Sequence, residues 1–251
     1  MSRNILFYKL NYYLLKYIDY ENWHKLIFKI NSLRYDGQYY KINFRNPSTF
    51  NEKMIFLKRK NQPKIYSTVA DKFKVREYIK QILDEKYLIP LIWSSTNIKE
   101  FNQSLITNNC VIKLNNGSGK NFIIRSALTK KEFEKIKKTF SKLLKMDFSL
   151  YSRESHYKNI KPRILIEKIL DFPLNDYKFF CSNGEPFMIQ VDINRFTNHQ
   201  RNFYDINWKK QNITLNYKNY KGEINRPKQF NLMIEISKKL SKQFEFCRID
   251  L

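Results

Sequence analysis

The sequence predicts an α+β protein, and three observations carry that expectation. Amphipathic helical stretches alternate with short apolar β runs. Two such runs flank Asn183-Gly184, a strong hairpin signal, and another two flank the loop NNGSGK at residues 115–120. The predicted order is helix, strand, hairpin, helix, strand, hairpin, helix, strand. A chain of 251 residues that is 42% hydrophobic and 16% aromatic can bury a real core as one large or two modest domains, which excludes disorder.

Residues 4–33 interleave apolar and aromatic positions with lysine and read as helical. Such a stretch either packs on the domain as a helical layer or lies on an anionic membrane surface. Pro47 stops it, and Ser48 or Thr49 caps a following helix whose first turn holds Glu52. Residues 68–83 form a second amphipathic helix with Phe73, Ile79, Ile82 and Leu83 on its apolar side. YLIPLIW (87–93) is a strand interrupted by Pro90, which suits a sheet edge. CVIKL (110–114) is the next strand, and FIIRSA (122–127) is its hairpin partner. Thr129 and Glu132 make a capping box that opens a helix through about Lys145.

After a polar stretch at 152–162, RILIEKIL (163–170) reads as a buried strand. Alternation puts Ile164, Ile166 and Lys168 on one face and Leu165, Glu167 and Ile169 on the other. The hairpin DYKFFCSNGEPFMIQVD covers 176–192, a helix follows Pro227, and FEFCRIDL (244–251) is a last strand. There is no internal repeat and no flexible linker.

The formal charge of +24 invites a nucleic-acid reading. Long single-sign blocks, stacked-aromatic RNA motifs and finger-type Cys/His spacing are absent, so no nucleic-acid partner is expected. Nucleotides, acidic sugars or a lipid surface account for the charge equally well. Cys110, Cys181 and Cys247 are far apart and odd in number, which argues for buried thiols over a disulfide framework. No stretch has the length and apolarity of a membrane span, and the N-terminus does not read as a cleavable signal. A cytoplasmic location, with a further expectation of association with the inner membrane face, follows.

The glycine loop is the one concentrated feature. Of 5 glycines, Gly117 and Gly119 flank a single serine directly after a strand that ends near Lys113. Alone, the loop is either an ordinary turn or a place where backbone approaches a ligand closely. It does not match G-x-x-x-x-G-K-[ST].

Segments in a fixed order supply what the single motifs lack. NPSTFNEKMIFLK (46–58), ADKFKVREYI (70–79), YLIPLIW (87–93), VIKLNNGSG (111–119), HYKNIKPRILIEKIL (156–170), DYKFFCSNGEP (176–186), QVDINRFTNHQRNFYD (190–205) and FCRIDL (246–251) together resemble the TupA-like branch of the ATP-grasp superfamily. The resemblance implies an ATP-grasp-like α+β fold in which two β-rich subdomains clamp a nucleotide. It divides the chain into a helical N-terminal region (1–45), an N-terminal α/β part (46–104), a first ATP-grasp subdomain with phosphate loop and hinge (105–170) and a second subdomain (171–251). It also implies ATP and Mg²⁺ as cofactors. The implied activity is an ADP-forming carboxylate–amine ligase, with an acylphosphate intermediate, in bacterial surface-polysaccharide synthesis. An acidic sugar or polysaccharide and an amino acid are the implied substrates. A nucleotide-sugar glycosyltransferase and a non-catalytic basic surface binder are the alternatives.

Site residues follow from the resemblance. Lys113 is expected at the ATP phosphates, covered by Asn116, Gly117, Ser118 and Gly119, with Lys120 as a further cation. Glu167, Lys168, Ile169 and Leu170 occupy the place of the hinge, with Lys168 assigned to phosphate and Glu167 to the adenine region. Asp176 falls where the ribose hydroxyls are met, and Lys178 is a further nucleotide contact. Arg195 and Arg201 are expected to stabilise the transferring phosphoryl group. Arg153, His156 and Lys158 are expected at the acceptor. Asp250 is expected to bind Mg²⁺. The family pattern continues with a strand carrying Glu and Asn, whereas this sequence ends one residue after Asp250, so the second subdomain is expected to be incomplete.

Overall fold

A computed structural model describes residues 17–35, 41–60, 63–117, 121–149, 154–170, 175–195 and 197–251. The first part of the helix expected over 4–33 lies outside these residues, as do Ser118, Gly119, Lys120 and Arg153. The chain divides into two compact units: Met1–Tyr78 with Pro90–Ile169, and Ile79–Ile89 with Leu170–Leu251.

The first unit opens with α1 (Tyr20–Tyr35) and α2 (Phe50–Arg59). Tyr20 Oη donates to the Ile55 carbonyl at 2.9 Å and ties them together. Thr49, not Ser48, caps α2, and its side chain and Glu52 make the expected capping box. Glu52 accepts from the Thr49, Asn43 and Ser48 amides, and these backbone donors hold its carboxyl down to about 2.

The single helix expected over 68–83 is two helices, α3 (Lys64–Ala70) and α4 (Val75–Ile82). The break has a local cause. Asp71 is buried, and its Oδ1 accepts from the Phe73 amide at 2.9 Å, offering the backbone an alternative to the helical ladder.

Strands β1 (Leu91–Ser95), β2 (Cys110–Leu114), β3 (Phe122–Ile124) and β4 (Ile164–Lys168) form an antiparallel sheet in the order β1-β4-β2-β3. β1 starts directly after Pro90 and takes the edge, where a missing ladder donor costs little. One face of the sheet presents Cys110, Ile112, Ile164 and Ile166 to α5 (Lys130–Leu143), which buries Phe133, Ile136 and Phe140 against them. Each such side chain contributes roughly 1.5–3 kcal/mol of transfer free energy. The opposite face carries Val111, Lys113, Leu165 and Glu167.

In the second unit, β5 (Asp176–Ser182), β6 (Glu185–Ile193), β7 (Gln200–Tyr204), β8 (Lys210–Gln211) and β9 (Phe246–Asp250) form an antiparallel sheet in the order β8-β7-β6-β5-β9. Asn183 and Gly184 take positive φ, 48° and 83°, as a two-residue hairpin turn requires. One face packs Phe179, Ile189, Val191 and Tyr204 with Phe230 of α6 (Phe230–Ser241). Alternation then sends Asp176, Lys178, Gln190, Asp192, Arg201, Arg248 and Asp250 to the other face.

Candidate functional site

The first unit builds its polar site on the sheet face turned away from α5. In the β2/β4 ladder Lys113 lies opposite Leu165 and Val111 opposite Glu167, so Lys113 and Glu167 are diagonal neighbours on one face. Lys113 Nζ pairs with Glu167 Oε2, and Arg76 Nη1 stands 3.8 Å from Glu167 Oε1. Glu167 is buried, so its charge is matched from two sides by cations. Lys168 occupies the other face and is exposed. Lys113 and Lys168 thus do not share a face, and a different lysine stands near Lys113.

The second lysine is Lys72, which sits in the break between α3 and α4. Its amide donates to the Asn115 carbonyl at 3.0 Å, and its Nζ donates to the Gly117 carbonyl. Burial, aided by the nearby Lys113 charge and opposed by Glu167 and Asp71, pushes the Lys72 ammonium down to about 8. Asn115 pins the strand end from which the loop departs. Its Nδ2 donates to Asp71 Oδ1 at 2.8 Å and to the Lys161 carbonyl at 3.1 Å, while its Oδ1 accepts from the Arg163 amide at 2.7 Å. The neighbouring Asn116 is buried, and Gly117 faces the Phe148 ring, which would lie 3.7 Å from an added Cβ.

The hinge amides of Lys168 and Ile169 donate to the Pro90 and Asn109 carbonyls at 3.0 and 2.9 Å, and Leu170 is exposed. His156 is half-buried with its ring 4.5 Å from that of Tyr157. Burial lowers its basicity, with Glu154 opposing and Lys58 adding to the effect. Ser67 Oγ donates to the His156 carbonyl at 2.7 Å, while Lys158 is exposed.

The second unit centres its polar face on Asp192, a residue with no assigned role in the sequence reading. It is 1% exposed and accepts from Lys178 Nζ at 2.7 Å, Gln190 Nε2 at 2.9 Å and Arg201 Nε and Nη2 at 2.6 and 3.2 Å. Burial alone would raise its carboxyl, but the Arg201 and Lys178 contacts overbalance that and hold it well below the usual carboxylate range. Arg201 also lies 4.8 Å over the Tyr217 ring, on which His199 stacks. Asp176 takes Lys178 at 3.1 Å together with Arg195, whose guanidinium is half-exposed.

Asp250, expected as a metal ligand, is chelated instead by Arg248, whose Nε and Nη2 donate to its two oxygens at 2.6 and 2.8 Å. With Asp176 and Asp192 held by their own cations, the three carboxylates of this face are each neutralised. Among the described residues no group of three His, Cys, Asp or Glu side chains could hold a metal ion. Each of the three carboxylates would have to leave a cation to ligate Mg²⁺.

One comparison decides the family. A family model described as TupA-like ATPgrasp matches residues 52–251. The chain belongs to the TupA-like ATP-grasp family. Solved structures similar to it include a D-alanine–D-alanine ligase from Bacillus anthracis complexed with ATP, at 12% identity and TM-score 0.42, covering 73% of this chain and 50% of that one. Another is the ATP-grasp ligase PsnB complexed with a phosphomimetic variant of its minimal precursor, Mg and ADP, at 9% identity and TM-score 0.35, covering 74% and 45%. The chain spans about half the length of these structures. No curated protein matches it. The family segments ADKFKVREYI and QVDINRFTNHQRNFYD contain Lys72, Arg76 and Asp192, so the missed residues lay within matched segments but had no role of their own assigned. No helix among the described residues is long and apolar enough to cross a membrane.

Proposed function

We propose that this TupA-like ATP-grasp chain binds ATP and serves carboxylate–amine ligation in bacterial surface-polysaccharide synthesis. The observation that carries the reading is the convergence of Lys72 and Lys113 at the strand end and glycine loop of the first unit, with Glu167 as their shared counter-charge. Two ammonium groups, one of them depressed to about 8 by burial and its neighbour, form a site whose empty state is electrostatically unfavourable and whose occupation by phosphate is correspondingly favoured. Glu167 then keeps Lys113 extended along the sheet face, a positioning task, while the Asn115 hydrogen bonds fix where the loop departs.

The reaction would transfer the γ-phosphoryl group of ATP to a substrate carboxylate, giving an acylphosphate and ADP. An amine would attack the acyl carbon and expel phosphate. Arg195 is half-exposed and paired with the partly buried Asp176, so it is better placed than the buried Arg201 to exchange its partner for an anionic oxygen. Arg201 and Lys178 hold the polar face in shape through Asp192. An acidic sugar and an amino acid fit the charge of +24 as substrates, and the basic helix α1 fits work at the inner membrane face. Mg²⁺ is implied by the family, but the carboxylates of the second unit's polar face are each paired with a cation, so no step is assigned to it.

ADP release measured against panels of uronic acids, amino acids and amines tests the reading. ADP should form only when a carboxylate and an amine are both present. ADP formation indifferent to the carboxylate, or release of UDP from a nucleotide sugar, would overturn it.

A further inference from the structure

Helix α1 and the segment leading into α2 border a cavity of about 850 Å³ whose lining residues are distinct from those around Lys113. Its walls carry Lys25, Lys41, Arg45 and Arg59, with Glu21 and Phe44. Arg59 pairs with Glu21 and cancels it. Among the described lining residues, three basic side chains thus lack a carboxylate partner in the lining. The wall is built rather than incidental. Asn43 Oδ1 accepts from the Arg45 and Asn46 amides at 3.0 and 2.9 Å, and the Asn43 amide donates to buried Glu52 at 2.7 Å. Those bonds fix the short segment that presents Phe44 and Arg45, and Lys25 lies 5.7 Å over the Phe44 ring.

We propose that this cavity is a second anion site, taking a phosphoryl group with an organic residue against Phe44. Three cations call for more than one negative charge. A phosphomonoester carries about −1.5 to −2 near neutral pH, where a carboxylate carries only one. Arg45 offers a planar fork to two phosphoryl oxygens, and the two lysines act as point charges. On α1 the residue after Lys25 begins an exposed apolar stripe, Leu26, Ile30 and Leu33, spaced three and four apart. The phosphoryl group therefore belongs either to a soluble phosphorylated molecule or to a phospholipid headgroup.

Calorimetric titration of the full chain with inorganic pyrophosphate tests the site, using Lys113→Ala to silence the phosphate loop. That variant should still bind pyrophosphate. Adding Lys25→Gln and Arg45→Gln should weaken the binding at least about tenfold, the loss of one charge-assisted contact. The Lys25→Gln/Arg45→Gln chain should keep wild-type ATP affinity and an unchanged unfolding midpoint. Absence of pyrophosphate binding in Lys113→Ala, or binding there that ignores the two glutamine substitutions, would overturn the proposal. So would a loss of ATP affinity in the double variant, which would make the two sites one. Sedimentation with phosphatidylcholine vesicles containing phosphatidic acid separates the sources. Capture lost in the double variant names the lipid headgroup, and equal or no capture names a soluble ligand.

Discussion

Replacing Asp192 with asparagine preserves side-chain size and removes the one charge on which the polar face of the second unit is organised. The carboxylate is 1% exposed and holds Lys178 at 2.7 Å and Arg201 at 2.6 and 3.2 Å. Lys178 keeps Asp176 at 3.1 Å in the variant, whereas Arg201 keeps only a neutral amide oxygen at position 192 and the Leu215 carbonyl at 3.3 Å. A hydrogen bond to a charged group is worth about 1.5–3 kcal/mol. Breaking a buried pair from one side costs roughly 3–5 kcal/mol. The two ranges meet at about 3 kcal/mol, a large part of the ~5–15 kcal/mol that holds a typical domain folded. Urea unfolding followed by Trp208 fluorescence reads the right unit, because Trp208 stacks on Tyr204 of β7 at 4.4 Å. Phenylalanine at Trp23 and Trp93 in both chains leaves that reporter alone. Asp192 has a folded pKa below its unfolded value of about 4, so its stabilisation is full above that pH and is lost as pH falls below it. The variant should therefore also flatten the acid limb. A loss below about 1 kcal/mol would refute the reasoning that makes Asp192 the organising charge.

Further outcomes follow from the first unit. ATP affinity should fall as pH rises through about 8, where Lys72 loses its proton, and Lys72→Arg should remove that dependence in a titration series. Without ligand, the same depressed pKa makes the Lys72 contribution to stability rise between about pH 8 and its unfolded value near 10.4. Glu52→Gln should cost about 1 kcal/mol through the weakened capping box, and the loss should disappear below about pH 2, where Glu52 itself is protonated. Asn115→Ala leaves the Arg163 amide and Asp71 short of a partner and should cost about 2–4 kcal/mol in chemical denaturation, with weaker ATP binding in the surviving fold.

Local signals were readable wherever a few neighbouring residues decide the conformation. The Thr49 and Thr129 caps, the Asn183-Gly184 turn and the face alternation of RILIEKIL all stand as those rules require. The helix break at Asp71 was not readable. The apolar period runs on through it, and the buried Asp71–Asn115 hydrogen bond that favours the break spans 44 residues. The site divides in the same way. Lys113 shows itself as a lysine near the end of a strand before a glycine loop. Its pairing with Glu167 depends on the register of two strands more than fifty residues apart in the chain. Asp192 was hidden for a related reason. A charged residue in an apolar strand declares itself only when the neighbouring strands bring Lys178 and Arg201 beside it.

The central claim is that Lys113, with Lys72 and the glycine loop, holds the phosphates of ATP. Calorimetric titration of the full chain with ATP, wild type against Lys113→Ala, tests it most directly. Binding should be saturable in the wild type and at least tenfold weaker in the variant, on the order of one charge-assisted phosphate contact. Equal ATP affinity in the two chains would contradict it.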